Sequence, residues 1–165
     1  AIAVESRRRR GTTFRVYLPQ VAEKEETPLP AAPRPAPSRA AETVLVAEDE
    51  AIVRELIVDI LRKHGYTALV AANGEEALDL SRRHDGVIHL LVTDVVMPRM
   101  GGIELMRQLA GERVGIGIVC TSGYMIETHL HPRRGEPSVA FLEKPFTEDA
   151  LIAKIYEALH GAARA

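Results

Sequence analysis

The 165-residue sequence predicts an open α/β domain built on a parallel sheet, with a short separate segment before it. Three observations predict this. From Thr43 onward, short apolar runs alternate with longer stretches of helical periodicity, the signature of βα repeats that cover a sheet on both faces. Four of the five apolar runs lead directly into polar groups: Glu48-Asp49-Glu50, Asp94, Ser122 and Lys144. Hydrophobic residues make up 46% and charged residues 27%, an ordinary balance for a chain with a packed core.

The strands are expected at Val44 to Ala47, Thr67 to Ala71, His89 to Thr93, Gly117 to Thr121 and Val139 to Leu142. Between the first two, Ile52, Val53, Leu56, Ile57, Ile60 and Leu61 recur at helical spacing, and Gly65 suits a left-handed C-cap. Asn73 can cap the second helix, with Glu76 three residues on to complete a capping box and Ala77, Leu78 and Leu80 on its apolar side. The third helix is expected from about Gly102 to Ala110. Thr147 can cap a last helix with Leu151, Ile152, Ile155 and Leu159 inward. Between Tyr124 and Ser138, Pro132, Gly135 and Pro137 leave room for only a short fourth helix and a mobile loop.

Six of the ten prolines fall between Pro19 and Pro37, mixed with Ala, Ser and Glu, which marks residues 20–42 as a linker before a domain at 43–161. Residues 1–42 hold eight Lys/Arg against five Asp/Glu, and residues 43–165 hold thirteen against eighteen. A mildly acidic domain offers no clustered basic face, so nucleic acid is not an expected partner. No apolar stretch approaches the roughly 20 residues needed to cross a bilayer, and no signal-peptide pattern opens the chain. A cytoplasmic setting and no membrane contact are expected. The single cysteine, Cys120, lies in an apolar run and is expected to be a small buried hydrophobe.

In an open parallel sheet, ligands bind outside the carboxyl ends of the strands. Glu48, Asp49, Asp94, Ser122 and Lys144 should therefore meet in one crevice. Clustered carboxylates repel and call for an offsetting cation. An all-oxygen set suits Mg2+ and phosphoryl chemistry, and no Cys/His cluster competes for zinc. With Mg2+ and an ammonium beside a carboxylate, the expected reaction is phosphoryl transfer with Asp94 as nucleophile, Lys144 pairing with the incoming group and the Ser122 hydroxyl bonding another oxygen.

These residues resemble the receiver domains of bacterial response regulators and hybrid histidine kinases. The resemblance is carried by Glu48-Asp49 after the first strand, TDVVMP around Asp94, TSGY after the fourth strand and FLEKPF at the fifth, in the family's order and spacing. It implies a flavodoxin-like, doubly wound sheet of order 2-1-3-4-5 with five helices. Asp94 then corresponds to the phosphoacceptor, Glu48 and Asp49 to the acidic pair with Asp49 the more direct ligand, and Val96 to the residue whose carbonyl also meets the metal. Ser122 corresponds to the switch hydroxyl, Lys144 to the family's lysine, Pro145 to a residue after a cis bond, and Phe141 to the aromatic that turns inward on phosphorylation. The implied partner is a histidine kinase or a histidine phosphotransfer domain, and the domain would catalyse its own phosphorylation and dephosphorylation. Departures are few: Glu48 stands where aspartate is also common, and Phe141 lacks the hydroxyl of the frequent tyrosine. Val96 and Tyr124 supply no acid or amide to orient water, which implies slow self-dephosphorylation.

Residues 1–19 resemble the last strands of a histidine-kinase ATP-binding domain, in AIAVES followed by GTTFRVYLP. Phe14, Val16 and Leu18 alternate as a strand does, with Ile2 and Val4 across a turn near Gly11. The resemblance implies a fragment of a hybrid sensor kinase without its ATP site and dimerisation helices, and therefore no ATP binding.

Other features have plainer readings. Glu50, Glu143 and Glu148 read as surface or capping charges, and Arg7 to Arg10 as a solvated turn. His129 and His131 lack a third ligand nearby. Met97 and Met100 read as packing or loop residues, and Gly101-Gly102 as a turn entering the third helix. Two alternatives stand beside the main expectation: a receiver-like docking module without phosphotransfer, and an aspartate-nucleophile phosphatase, although Val96 occupies the place where such an enzyme needs a second acid.

Overall fold

The computed structural model describes residues 2–9, 11–17, 42–123 and 139–160, and the chain divides into two units, residues 1–36 and 37–165. In the first unit, β1 (Ile2–Arg7) and β2 (Gly11–Val16) form an antiparallel hairpin. Its register sets Ile2 opposite Val16 and Val4 opposite Phe14, so four apolar side chains share one face. The other face carries an ion pair between Glu5 and Arg15 at 2.7 Å. The turn falls at Arg8-Arg9, just before Gly11, with Arg9 in the left-handed region at φ 64. Leu18, expected to continue the alternation, lies outside the described residues.

The second unit runs β3 (Thr43–Ala47), α1 (Ala51–Lys63), β4 (Thr67–Ala71), α2 (Gly74–Arg83), β5 (Leu90–Asp94), α3 (Gly102–Glu112), β6 (Gly117–Ser122), β7 (Val139–Glu143) and α4 (Glu148–His160). All five strands are parallel, in the order β4-β3-β5-β6-β7. That is the implied 2-1-3-4-5 sheet. Four helices are present among the described residues of this unit; the expected fourth helix, between 124 and 138, lies outside them.

Helix entry and exit follow the sequence chemistry. Asn73 Oδ1 accepts the Glu76 N–H at 3.0 Å, while Glu76 Oε2 accepts the Ala72 N–H at 3.0 Å, so the capping box closes one residue further back than usual. Gly65 adopts φ 84 after α1, a backbone that favours glycine. Thr147 Oγ1 accepts the Ala150 N–H at 3.2 Å. In α4, Leu151 and Ile155 are buried, and Ile152 and Leu159 only partly so.

Strand ends differ from expectation by a residue, in two respects. β5 begins at Leu90, although the His89 N–H still donates to the Thr43 carbonyl at 2.9 Å and its ring Nδ1 accepts the Thr43 N–H at 3.0 Å. Asp94 and Ser122 are themselves the last residues of β5 and β6, so the sheet's own pairing holds their backbones.

Alternate strand residues build two apolar layers. Leu45, Leu91, Ile118 and Cys120 pack with Leu78, Leu105 and Leu109 on the α2/α3 side. Val44, Val46, Leu90, Val92 and Val119 pack with Ile57, Leu61, Leu151 and Ile155 on the α1/α4 side. Each such side chain contributes about 2 kcal/mol by leaving water.

Candidate phosphoacceptor site

Strand β5 lies between β3 and β6, and the site is built where these strands end. The Val95 N–H donates to the Thr121 carbonyl at 3.1 Å, which ties the start of the loop after Asp94 to β6. The Glu48 N–H donates to the Ala71 carbonyl at 3.2 Å, and the residue is only 1% exposed. Asp49, next along, is exposed. Glu48, Asp49 and Asp94 each bring one carboxylate oxygen to within 4.8 Å of the others.

Lys144 reaches this cluster from the end of β7. Its backbone N–H donates to the Ser122 carbonyl at 2.8 Å, and the peptide bond to Pro145 is cis, as the resemblance implied. The ammonium lies 2.7 Å from Asp94 Oδ2 and 2.8 and 3.0 Å from the two Glu48 oxygens. The lysine thus bridges acceptor and acidic neighbour. Burial raises the Glu48 carboxyl above its ordinary range, and Lys144 opposes that shift. Burial pushes the Lys144 ammonium down, but its bonds to Asp94 and Glu48 more than reverse this and leave it above its usual value. Three carboxylates facing one ammonium favour an added cation.

The other expected residues fall as follows. Val96 donates its N–H to Asp94 Oδ1 at 3.2 Å and leaves its side chain 74% exposed. Ser122 is 8% exposed and pairs in register with Glu143 on β7. Phe141 is half-buried, pairs in register with Cys120 and packs against the α2/α3-side core. Tyr124 lies outside the described residues. The strand ends therefore bring Glu48, Asp49, Asp94, Ser122 and Lys144 to one rim of the sheet.

Three contributors have no counterpart in the sequence reading. Arg54 Nη1 donates to the carbonyls of Glu48 at 2.7 Å and Asp49 at 3.1 Å. Thr93 Oγ1 donates to the Asp94 carbonyl at 3.0 Å. Gly102 is more than a turn residue: a Cβ there would collide with the Asp94 carbonyl oxygen.

A parallel five-stranded sheet with an acidic triad and a bridging lysine at its carboxyl rim defines a phosphoaspartate-type signalling domain. The profile of the response regulator receiver domain matches residues 44–156, and the chain belongs to that family. It is 33% identical over 157 residues to the sensor kinase CckA of Brucella abortus, an alignment that covers 91% of this chain and 17% of that protein. The chain spans from about a sixth to about half the length of the first curated relatives it matches. Its structure is similar to that of the receiver domain of the hybrid histidine kinase CckA, with a TM-score of 0.60 and 34% identity, covering 72% of this chain and 99% of that one. It is also similar to the response regulator TrrA of Thermotoga maritima in complex with Mg2+ and BeF, with a TM-score of 0.59 and 28% identity, covering 72% of this chain and 99% of that one. The domain is a two-component receiver, and no helix among the described residues is long and apolar enough to cross a membrane.

Proposed function

We propose that Asp94 accepts a phosphoryl group from the phosphohistidine of a histidine kinase or histidine phosphotransfer domain, and that the modified domain then switches conformation. The observation that carries this is the Lys144 ammonium 2.7 Å from Asp94 Oδ2, inside a cluster of three carboxylates. The donor set is all oxygen and carries excess negative charge, which fits a hard divalent cation. Glu48, Asp49 and Asp94 would hold Mg2+, with the Val96 carbonyl as a further donor. Bound there, Mg2+ supplies positive charge that offsets the charge on the transferred phosphoryl oxygens.

The chain's own residues do the rest. Lys144 and the Val96 N–H orient the Asp94 carboxylate by holding one oxygen each. An Asp94 oxygen forms the bond to phosphorus as the N–P bond of the phosphohistidine breaks, and the electron pair stays on the departing imidazole nitrogen. Lys144 then has a phosphoryl oxygen to pair with, and the Ser122 hydroxyl, at the next strand end, another. Phe141 follows by turning inward. Added charge of about −1.5 to −2 drives the change, which reaches the face formed by α4 and β7.

The wider setting supports a hybrid sensor kinase in the cytoplasm. The hairpin's paired apolar face suits the last strands of a larger sheet, as in an ATP-binding domain, and the similarity to the CckA sensor kinase covers 91% of the chain, beyond the receiver itself. Incubation with acetyl phosphate and Mg2+, read by intact mass, tests the acceptor role. The chain should gain one phosphoryl group, Asp94→Asn should gain none, and omission of Mg2+ should abolish the gain. Labelling that survives Asp94→Asn would overturn the assignment. With no acid or amide at Val96 to orient an attacking water, the phosphorylated form should persist for minutes or longer, and decay within seconds would contradict that part.

A further inference from the structure

The β3–α1 connection carries two of the three acids, and the group that holds its shape has no part in the chemistry above. Among the described residues no donor reaches the Asp49 carboxylate, so its direction depends on its backbone. The usual device for fixing a helix entry is missing too, because Glu50, the N-cap of α1, makes no side-chain capping bond. Arg54 stands in for it. Its Nη1 donates at 2.7 Å to the Glu48 carbonyl, in the peptide before Asp49, and at 3.1 Å to the Asp49 carbonyl, in the peptide after it. Both peptide planes around one Cα are thereby tied to a single nitrogen, which sets where the Asp49 Cβ points. Arg54 is itself half-buried, and its amide N–H donates to the Glu50 carbonyl at 2.9 Å, so the clamp is anchored in the first turn of the helix. Glu48 has further anchors in Ala71 and Lys144.

We propose that Arg54 is a positioning residue for cation binding, acting through the two carbonyls that orient the Asp49 carboxylate. The inference rests on the assignment of Glu48, Asp49 and Asp94 as the Mg2+ site. Groups that orient ligands typically change metal affinity by 10- to 100-fold when removed.

Calorimetric titration of Mg2+ into the full chain, alongside thermal melts without metal, tests it. Arg54→Ala is expected to weaken Mg2+ binding about tenfold, while the metal-free melting temperature moves by only a few degrees. Arg54→Lys keeps the charge but lacks the planar guanidinium, so it should recover only part of the affinity. Should Arg54→Ala fail to fold, Arg54→Lys and Arg54→Gln carry the comparison. If Arg54→Ala binds Mg2+ within twofold of the unaltered chain, or if Arg54→Lys restores binding in full, the clamp is wrong and the site assignment stands. If the unaltered chain binds no Mg2+, the site assignment falls and takes the clamp with it.

Discussion

Glu48 shows how far a single residue depends on its partner. Its carboxylate is 1% exposed and receives both of its short contacts from Lys144. Removing the lysine leaves a buried acid uncompensated, which typically costs about 3 kcal/mol, whereas replacing both members costs far less. Lys144→Met is therefore expected to lower stability by about 3 kcal/mol in urea titrations without Mg2+. Adding Glu48→Gln should return most of that loss. At Cys120, burial beneath the site, reinforced by the nearby Asp94 charge, pushes the thiol up to about 12. Because the thiolate is the reactive form, disulfide-exchange reagents at pH 8 should label this cysteine only as fast as the domain opens, and labelling within seconds of mixing would show otherwise. The sequence carried the side chains of the site clearly, since acids and a lysine at strand ends are unusual. It carried nothing of Arg54, because a bond to a backbone carbonyl leaves no trace in the residue type that accepts it.

At the scale of elements, the acceptor loop is packed against α3 with no room to spare. The Gly102→Ala methyl would collide with the Asp94 carbonyl oxygen and stand 2.8 Å from Thr93 Oγ1. Overpacking of this kind costs about 1–3 kcal/mol. Gly102→Ala is expected to lower the unfolding free energy in urea titrations by that amount and to slow phosphorylation at saturating Mg2+. Elsewhere Glu148, at the start of α4, joins the end of α1 through Lys63 at 2.8 Å and His64 at 2.9 Å. Lys63 first and His64 second hold its carboxyl below the ordinary value of 4.5. A depressed carboxyl pKa stabilises the fold above the unfolded value, and that contribution is lost as pH falls through the folded one. The melting-temperature gap between the unaltered chain and Glu148→Gln should therefore be constant near neutrality and close below about pH 4.5. Helices were legible from apolar spacing, and Asn73, Glu76 and Thr147 were legible from capping chemistry. The start of β5 was legible only to within a residue, and the extra bond from the Thr43 N–H to the His89 ring was not legible at all.

For the whole molecule, both core layers draw only on residues from Val44 to Leu159. Among the described residues, a chain lacking residues 1–36 keeps both of these layers. It should melt within about 2 °C of the full chain, a shift corresponding to well under 1 kcal/mol, and differential scanning calorimetry reads it directly. The hairpin, with Ile2, Val4, Phe14 and Val16 exposed and no covering layer among the described residues, is the kind of two-stranded element that is marginal alone. The five-strand order was legible only through family resemblance. Alternation of strands and helices predicts a parallel sheet, but which strands neighbour one another depends on crossovers that local pattern does not encode.

Lys144 comes 50 residues after Asp94 and follows the edge strand β7. During synthesis the three acids leave the ribosome well before their counter-charge, so a nascent or truncated chain has neither a neutralised acceptor nor a closed rim. On the proposed reading, only a domain translated through Lys144 would carry the signal.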